Sequence, residues 1–165
     1  MEYLAWLAAE THGDHPRTAC PVLAALTRAL NDYMPDSTRQ GLRPYLSRMV
    51  GTADDGLSAW RAREIVGWVE HRVYPLVWYS PMAWARMAAA RRMIRRADYF
   101  GAVQASADVM YRAGLVRPAH WEPVWALLDH LLPLSELDRP PFDGPPGDRP
   151  PVTKPPVRAS LSARG

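Results

Sequence analysis

The chain has 165 residues, 48% hydrophobic and 22% charged, which makes it globular, of single-domain size, and long enough to bury a core without staples. Its net charge of +3 and pI of about 9.3 are too mild for a dedicated nucleic-acid binder. The lone cysteine, Cys20, excludes an internal disulfide and fits a reducing compartment. Lys154 is the only lysine among 20 basic residues, a bias that reads as GC-rich coding rather than mechanism.

At the start, Met1-Glu2-Tyr3-Leu4-Ala5-Trp6 puts an acid where a signal peptide needs a basic region, so no targeting segment is expected. A short helix is predicted over about 2–10 and a loop over 11–19. Pro21 suits a first helical position, and Val22, Leu23, Leu26 and Leu30 fall on one face of a helix over about 21–33. Asp36 or Ser37 caps a third helix, kinked or split by Pro44 before Val50. Asp54 or Asp55 caps the fourth and longest, which runs towards Pro75. Ser80-Pro81 opens a fifth, about 81–97; a sixth runs over about 97–113 to Gly114, and a seventh over about 121–132 ends at Pro133. The greasiest stretch, 73–90, is broken by Pro75, Pro81 and Arg86 and is too interrupted for a membrane span. From Pro133 onward nine of 33 residues are proline, the composition of an extended, disordered tail. The expected architecture is all-α: a folded domain over 1–132, a compact bundle of about seven helices with a tryptophan-rich interior and a central fourth helix, followed by the tail over 133–165.

Asp14-His15-Pro16, Cys20-Pro21-Val22, Leu30-Asn31-Asp32, Pro35-Asp36, Arg39-Gln40, Pro44-Tyr45 and Val50-Gly51-Thr52 together resemble a pattern in all-helical actinobacterial proteins that carry no assigned activity. The resemblance covers roughly residues 1–80. It implies a helical fold and a cytoplasmic origin and transfers no site residue.

Chemistry could sit in three places. His12, His15 and Cys20 are close-spaced zinc-type ligands, but a structural zinc wants four, so no metal site and no cofactor are expected. On the fourth helix, Leu57, Ile65, Trp68, Val69, Val73 and Leu76 form one apolar face at 100° per residue, while Trp60, Glu64, Gly67, His71 and Tyr74 form another. There Glu64 and His71 could act as general base and acid, with Gly67 leaving room for a ligand between Trp60 and Tyr74. The simpler expectation is that the aromatics pack while Glu64 pairs with Arg61 or Arg63. Arg72 falls in the apolar arc, where a charge needs a buried partner such as Asp32, and Arg86 raises the same question among Met82, Met87, Ala90 and Met93.

Third, Arg91, Arg92, Arg95 and Arg96 share a solvent-facing arc beside Trp84, with Met82, Met87, Met93 and Ile94 facing inwards and Asp98 close by to neutralise them. Such an arc could hold a phosphate backbone or an acidic protein. His120-Trp121-Glu122 and Asp129-His130 are neighbours in sequence that point to different sides of a helix. No phosphate loop, nucleophile elbow or dinucleotide fingerprint occurs. The function expected is therefore a cytoplasmic accessory or adaptor protein acting through a protein partner. Its rivals are a small-molecule enzyme or binder using the Glu64–His71 surface and, behind it, a nucleic-acid role for the arginine arc.

Overall fold

The computed structural model describes residues 18–113 and 121–132, of which 80% are helical, with no strand among them. The predicted helix over 2–10, most of the following loop, His12, His15, the stop at Gly114, His120 and the proline-rich tail lie outside the described residues. The protein is all-α, as its periodicity predicts.

Helix α1, Pro21–Tyr33, starts on its proline and buries Val22, Leu23, Leu26 and Leu30 along one stripe. Each buried leucine contributes about 1.5–3 kcal/mol of hydrophobic free energy. Thr27 sits on the same buried side and donates its hydroxyl to the Leu23 carbonyl at 2.9 Å, so no polar group is stranded there. The third predicted helix is split: a single turn α2, Asp36–Arg39, passes through a 3₁₀ turn at Gln40–Leu42 into α3, Arg43–Met49, with Pro44 in its first turn. The split comes just before the proline, where a ring with no N–H fits without breaking a ladder.

Helix α4, Ser58–Trp68, continues into a π-helical turn, Val69–Val73, and a 3₁₀ turn, Tyr74–Leu76. Pro75 accounts for this sequence of turns. It has no N–H to give the His71 carbonyl, and its ring would clash with that carbonyl in a regular helix, so the chain widens before it. Three long helices complete the fold: α5, Pro81–Arg95; α6, Tyr99–Arg112; and α7, Trp121–Leu131. Ser80 caps α5 by accepting from the Ala83 N–H, and Asp98 caps α6 by accepting from Gly101 at 2.9 Å. Asp98 is thus committed to a helix end rather than to the neighbouring arginines.

Helix α4 is central, packing on α1, α5, α6 and α7. Helix α6 shares that position, with Ala102, Val103, Ala105 and Val109 letting α1, α4 and α5 approach closely. The interior is built of Ala, Val, Leu and Met rather than tryptophan. Trp121 is the one buried indole among the described residues; Trp60, Trp68 and Trp125 are half-buried, and Trp78 and Trp84 are exposed. No described helix is long and apolar enough to cross a membrane.

The π turn corrects the expected faces. Its wider i→i+5 spacing turns the chain less per residue, so the buried series runs Ile65, Val69, Val73, Val77, each four apart. Arg72 is therefore exposed and not the buried partner of Asp32, which is itself exposed, and Leu76 is 52% exposed. The buried arginine is Arg61, 1% exposed, whose guanidinium meets Asp55 through 2.9 and 2.6 Å bonds and gives its Nε–H to the Leu131 carbonyl at 3.1 Å. On α5, Met82 is exposed rather than inward-facing, and Arg86 reaches outward to Asp108 at 3.0 Å.

Candidate functional site

Arg61 and Asp55 fix the last turn of α7 against the start of α4, and beside that join residues of the two helices line an open groove of about 830 Å³. Glu64, Gly67 and His71, three of the residues singled out in the sequence, line it. Glu64 does not pair with Arg61 or Arg63; its Oε2 lies 3.0 Å from Nε2 of His130 on α7, a contact the Nε2-protonated imidazole makes as donor. The side chains are 41% and 55% exposed, so solvent screens the pair to about 1 kcal/mol at most. Trp60 reaches the site indirectly, its ring 5.2 Å from His130 at 60°. Tyr74 packs on the core and is not part of the groove lining. Seven residues separate Glu64 from His71, roughly 10 Å along the axis, so these two bracket the groove rather than touch.

The wall contributed by α7 is stiff. Trp125 stacks on Tyr45 of α3 with ring centroids 5.5 Å apart and planes 8° from parallel. A methyl added at Gly41 would come within 3.1 Å of the same indole, so a larger residue there would press on the ring. Asp129, beside it, is held by Arg48 at 2.6 Å and by the Tyr45 hydroxyl, which donates at 3.3 Å; burial, then Asp129, raises the pKa of that hydroxyl. Arg48 also donates to the Leu132 carbonyl. The opposite wall carries Trp68, and between them Gly67 leaves space: a Cβ built there meets nothing within 4 Å. A helical glycine costs about 1 kcal/mol relative to alanine, and no neighbour in the described fold requires it.

Trp68, Trp125, His130, Arg63 and Arg72 belong to the groove and were not assigned to it from the sequence. Their convergence depends on how α4 and α7 cross, which spacing along one helix does not encode. Arg63 and Arg72 have no carboxylate partner among the described residues.

A second surface lies at the start of α5. Within residues 76–84, Leu76, Trp78, Tyr79, Met82 and Trp84 are 52, 69, 71, 48 and 63% exposed. Trp78 and Tyr79 meet edge to face at 6.5 Å. The arginine arc follows at the end of the same helix, with Arg96 at its C-cap, all four members exposed. Arg91 is tied to Glu70 through bonds of 2.5 and 3.1 Å, whereas Arg92, Arg95 and Arg96 have no carboxylate partner among the described residues.

Of the metal-type residues, Cys20 is fully buried, its sulfur 3.2 Å from the Ser58 hydroxyl, and its backbone N–H donates to Thr52 Oγ1. Among the described residues no cluster of three or more His, Cys, Asp or Glu could hold a metal ion. No protein-family model, characterised protein or solved structure matches the chain.

Proposed function

We propose that this chain is a small cytoplasmic accessory protein that works by binding a protein partner, and that the partner docks on the aromatic stretch at the start of α5. The observation that supports it is the exposure of Trp78, Tyr79 and Trp84, each above 60%, beside Leu76 and Met82. Large apolar side chains gain about 1.5–3 kcal/mol each on burial, and tryptophan and tyrosine dominate binding hot spots. Arg92, Arg95 and Arg96 further along the helix set the partner's chemistry: an acidic segment carrying apolar anchors, steered by charge and held by the rings.

The test starts from the full chain carrying a photo-crosslinking residue at Ala85, used in cells to identify the partner, followed by reconstitution with the purified partner. Trp78→Ala with Trp84→Ala should weaken binding about a hundredfold or more, as loss of two hot spots does, while leaving the melting temperature within a few degrees. Arg92→Glu with Arg95→Glu should weaken it further at low salt than at high salt. An unchanged affinity in the tryptophan variant would overturn the proposal, as would a collapse of its melting temperature, which would make the rings part of the fold. Tight salt-sensitive binding of duplex DNA by the same arginines would replace it with a nucleic-acid role.

A further inference from the structure

We infer that the groove between α4 and α7 is a binding site for a small aromatic carboxylate. Four observations converge there, and none involves the aromatic stretch of α5. The groove, at about 830 Å³, is the size of drug-like ligand sites. Gly67 opens its floor where a side chain would meet no neighbour, so a residue that weakens its own helix stands in a place where no packing contact within the fold requires it. The π-helical turn begins two residues later and turns Arg72 out of the core arc to join His71 in the groove lining, the kind of helix defect that recurs at ligand sites.

The fourth observation concerns chemistry. Trp68 and Trp125 offer half-buried aromatic surfaces, and Trp125 is held by its stack on Tyr45 before any ligand arrives. A flat apolar body is the ligand shape such rings recognise, by stacking. Among the charges of the lining, Asp129 is taken by Arg48 and Glu64 by His130, which leaves the guanidiniums of Arg63 and Arg72, against the single exposed carboxylate of Glu122, uncommitted among the described residues. A guanidinium is the group best matched to a carboxylate. An aromatic ring with one carboxylate satisfies both halves of the site.

The probe is 2-naphthoate, with neutral 2-naphthamide as comparator, followed by the indole N–H signals of the full-length protein in ¹⁵N-labelled form. Naphthoate should bind saturably at one site, move the Trp68 and Trp125 signals and leave those of Trp78 and Trp84 in place. Gly67→Leu, which fills the floor, should weaken binding about tenfold or more, and Ala126→Phe should do the same from the other wall should the first variant prove unstable. Arg63→Gln with Arg72→Gln should bring naphthoate down to the affinity of naphthamide. Equal affinity for the two probes, full binding in Gly67→Leu and Ala126→Phe, or shifts confined to Trp78 and Trp84 would each overturn the assignment. So would Gly67→Leu displacing signals of residues 133–165 in the free protein, because the groove would then belong to the chain's own tail. These outcomes are separable from the partner test, whose variants, at Trp78, Trp84, Arg92 and Arg95, all lie outside the groove lining.

Discussion

Asp54 and Asp55 are indistinguishable as helix caps in the sequence, yet the fold gives them opposite roles. Asp54 is exposed, whereas Asp55 holds the buried guanidinium of Arg61 and also accepts from the Leu57 N–H at 3.0 Å. Removing one member of a buried pair strands the other charge, at a cost of about 3–5 kcal/mol. Asp55→Ala should therefore lower the unfolding free energy by that amount in urea titration, and Asp54→Ala should change it by less than about 0.5 kcal/mol. Comparable effects from the two would show that Arg61 finds another partner. The position of Arg61 was readable in principle: Leu57, Arg61 and Ile65 stand four apart on the stripe that packs inward. Attention to Arg72 instead followed from extending a 3.6-residue period through a segment that does not keep it. At Glu64 the limit is different, because its partner His130 lies 66 positions away and only the crossing of two helices brings them together.

Local signals place two of the helix starts, whereas the fourth helix begins at Ser58, behind Leu57 rather than an aspartate cap. Pro21 and Ser80-Pro81 open α1 and α5 where the N-terminal signals put them, since the proline and serine rules are local. The end of α5 carries no glycine to mark it, although it closes in a Schellman arrangement: Asp98 donates its N–H to the Met93 carbonyl at 3.0 Å and Ala97 to Ile94 at 3.1 Å. Ala97 occupies the left-handed position with φ of 58°. A side chain there costs about 1 kcal/mol relative to glycine. Ala97→Gly should thus stabilise the protein by up to about 1 kcal/mol in thermal or urea unfolding. A destabilisation of similar size would mean that the methyl group packs in a way that outweighs the backbone strain. The π turn had a local cause as well, Pro75, but a proline near a helix end permits a stop, a kink or a widened turn, and the choice among them is made by Val73 and Val77 seeking the core.

For the molecule as a whole, the all-helical architecture followed from periodicity, because every long helix presents one continuous apolar stripe. The size of the residues on those stripes was the less obvious part: α6 brings α1, α4 and α5 together through alanines and valines, while most indoles stay at the edges. Those edges are then tied by ion pairs, one of which joins the π turn to α5. Arg91 holds Glu70 through two hydrogen bonds, and those bonds pull its carboxyl below the ordinary value of 4.5, against the opposing effect of burial and with help from His71. A carboxyl depressed in the folded state stabilises the fold above its unfolded value and loses that contribution as the pH falls through the folded one. The pair is partly exposed, so its contribution is no more than about 1 kcal/mol. Glu70→Gln should therefore be less stable than the parent chain at neutral pH by about that amount, with the gap closing as the solution is acidified below 4.5. A gap that stays constant down to strongly acidic solution would mean that the carboxylate charge contributes nothing and the π turn is held on α5 by packing alone.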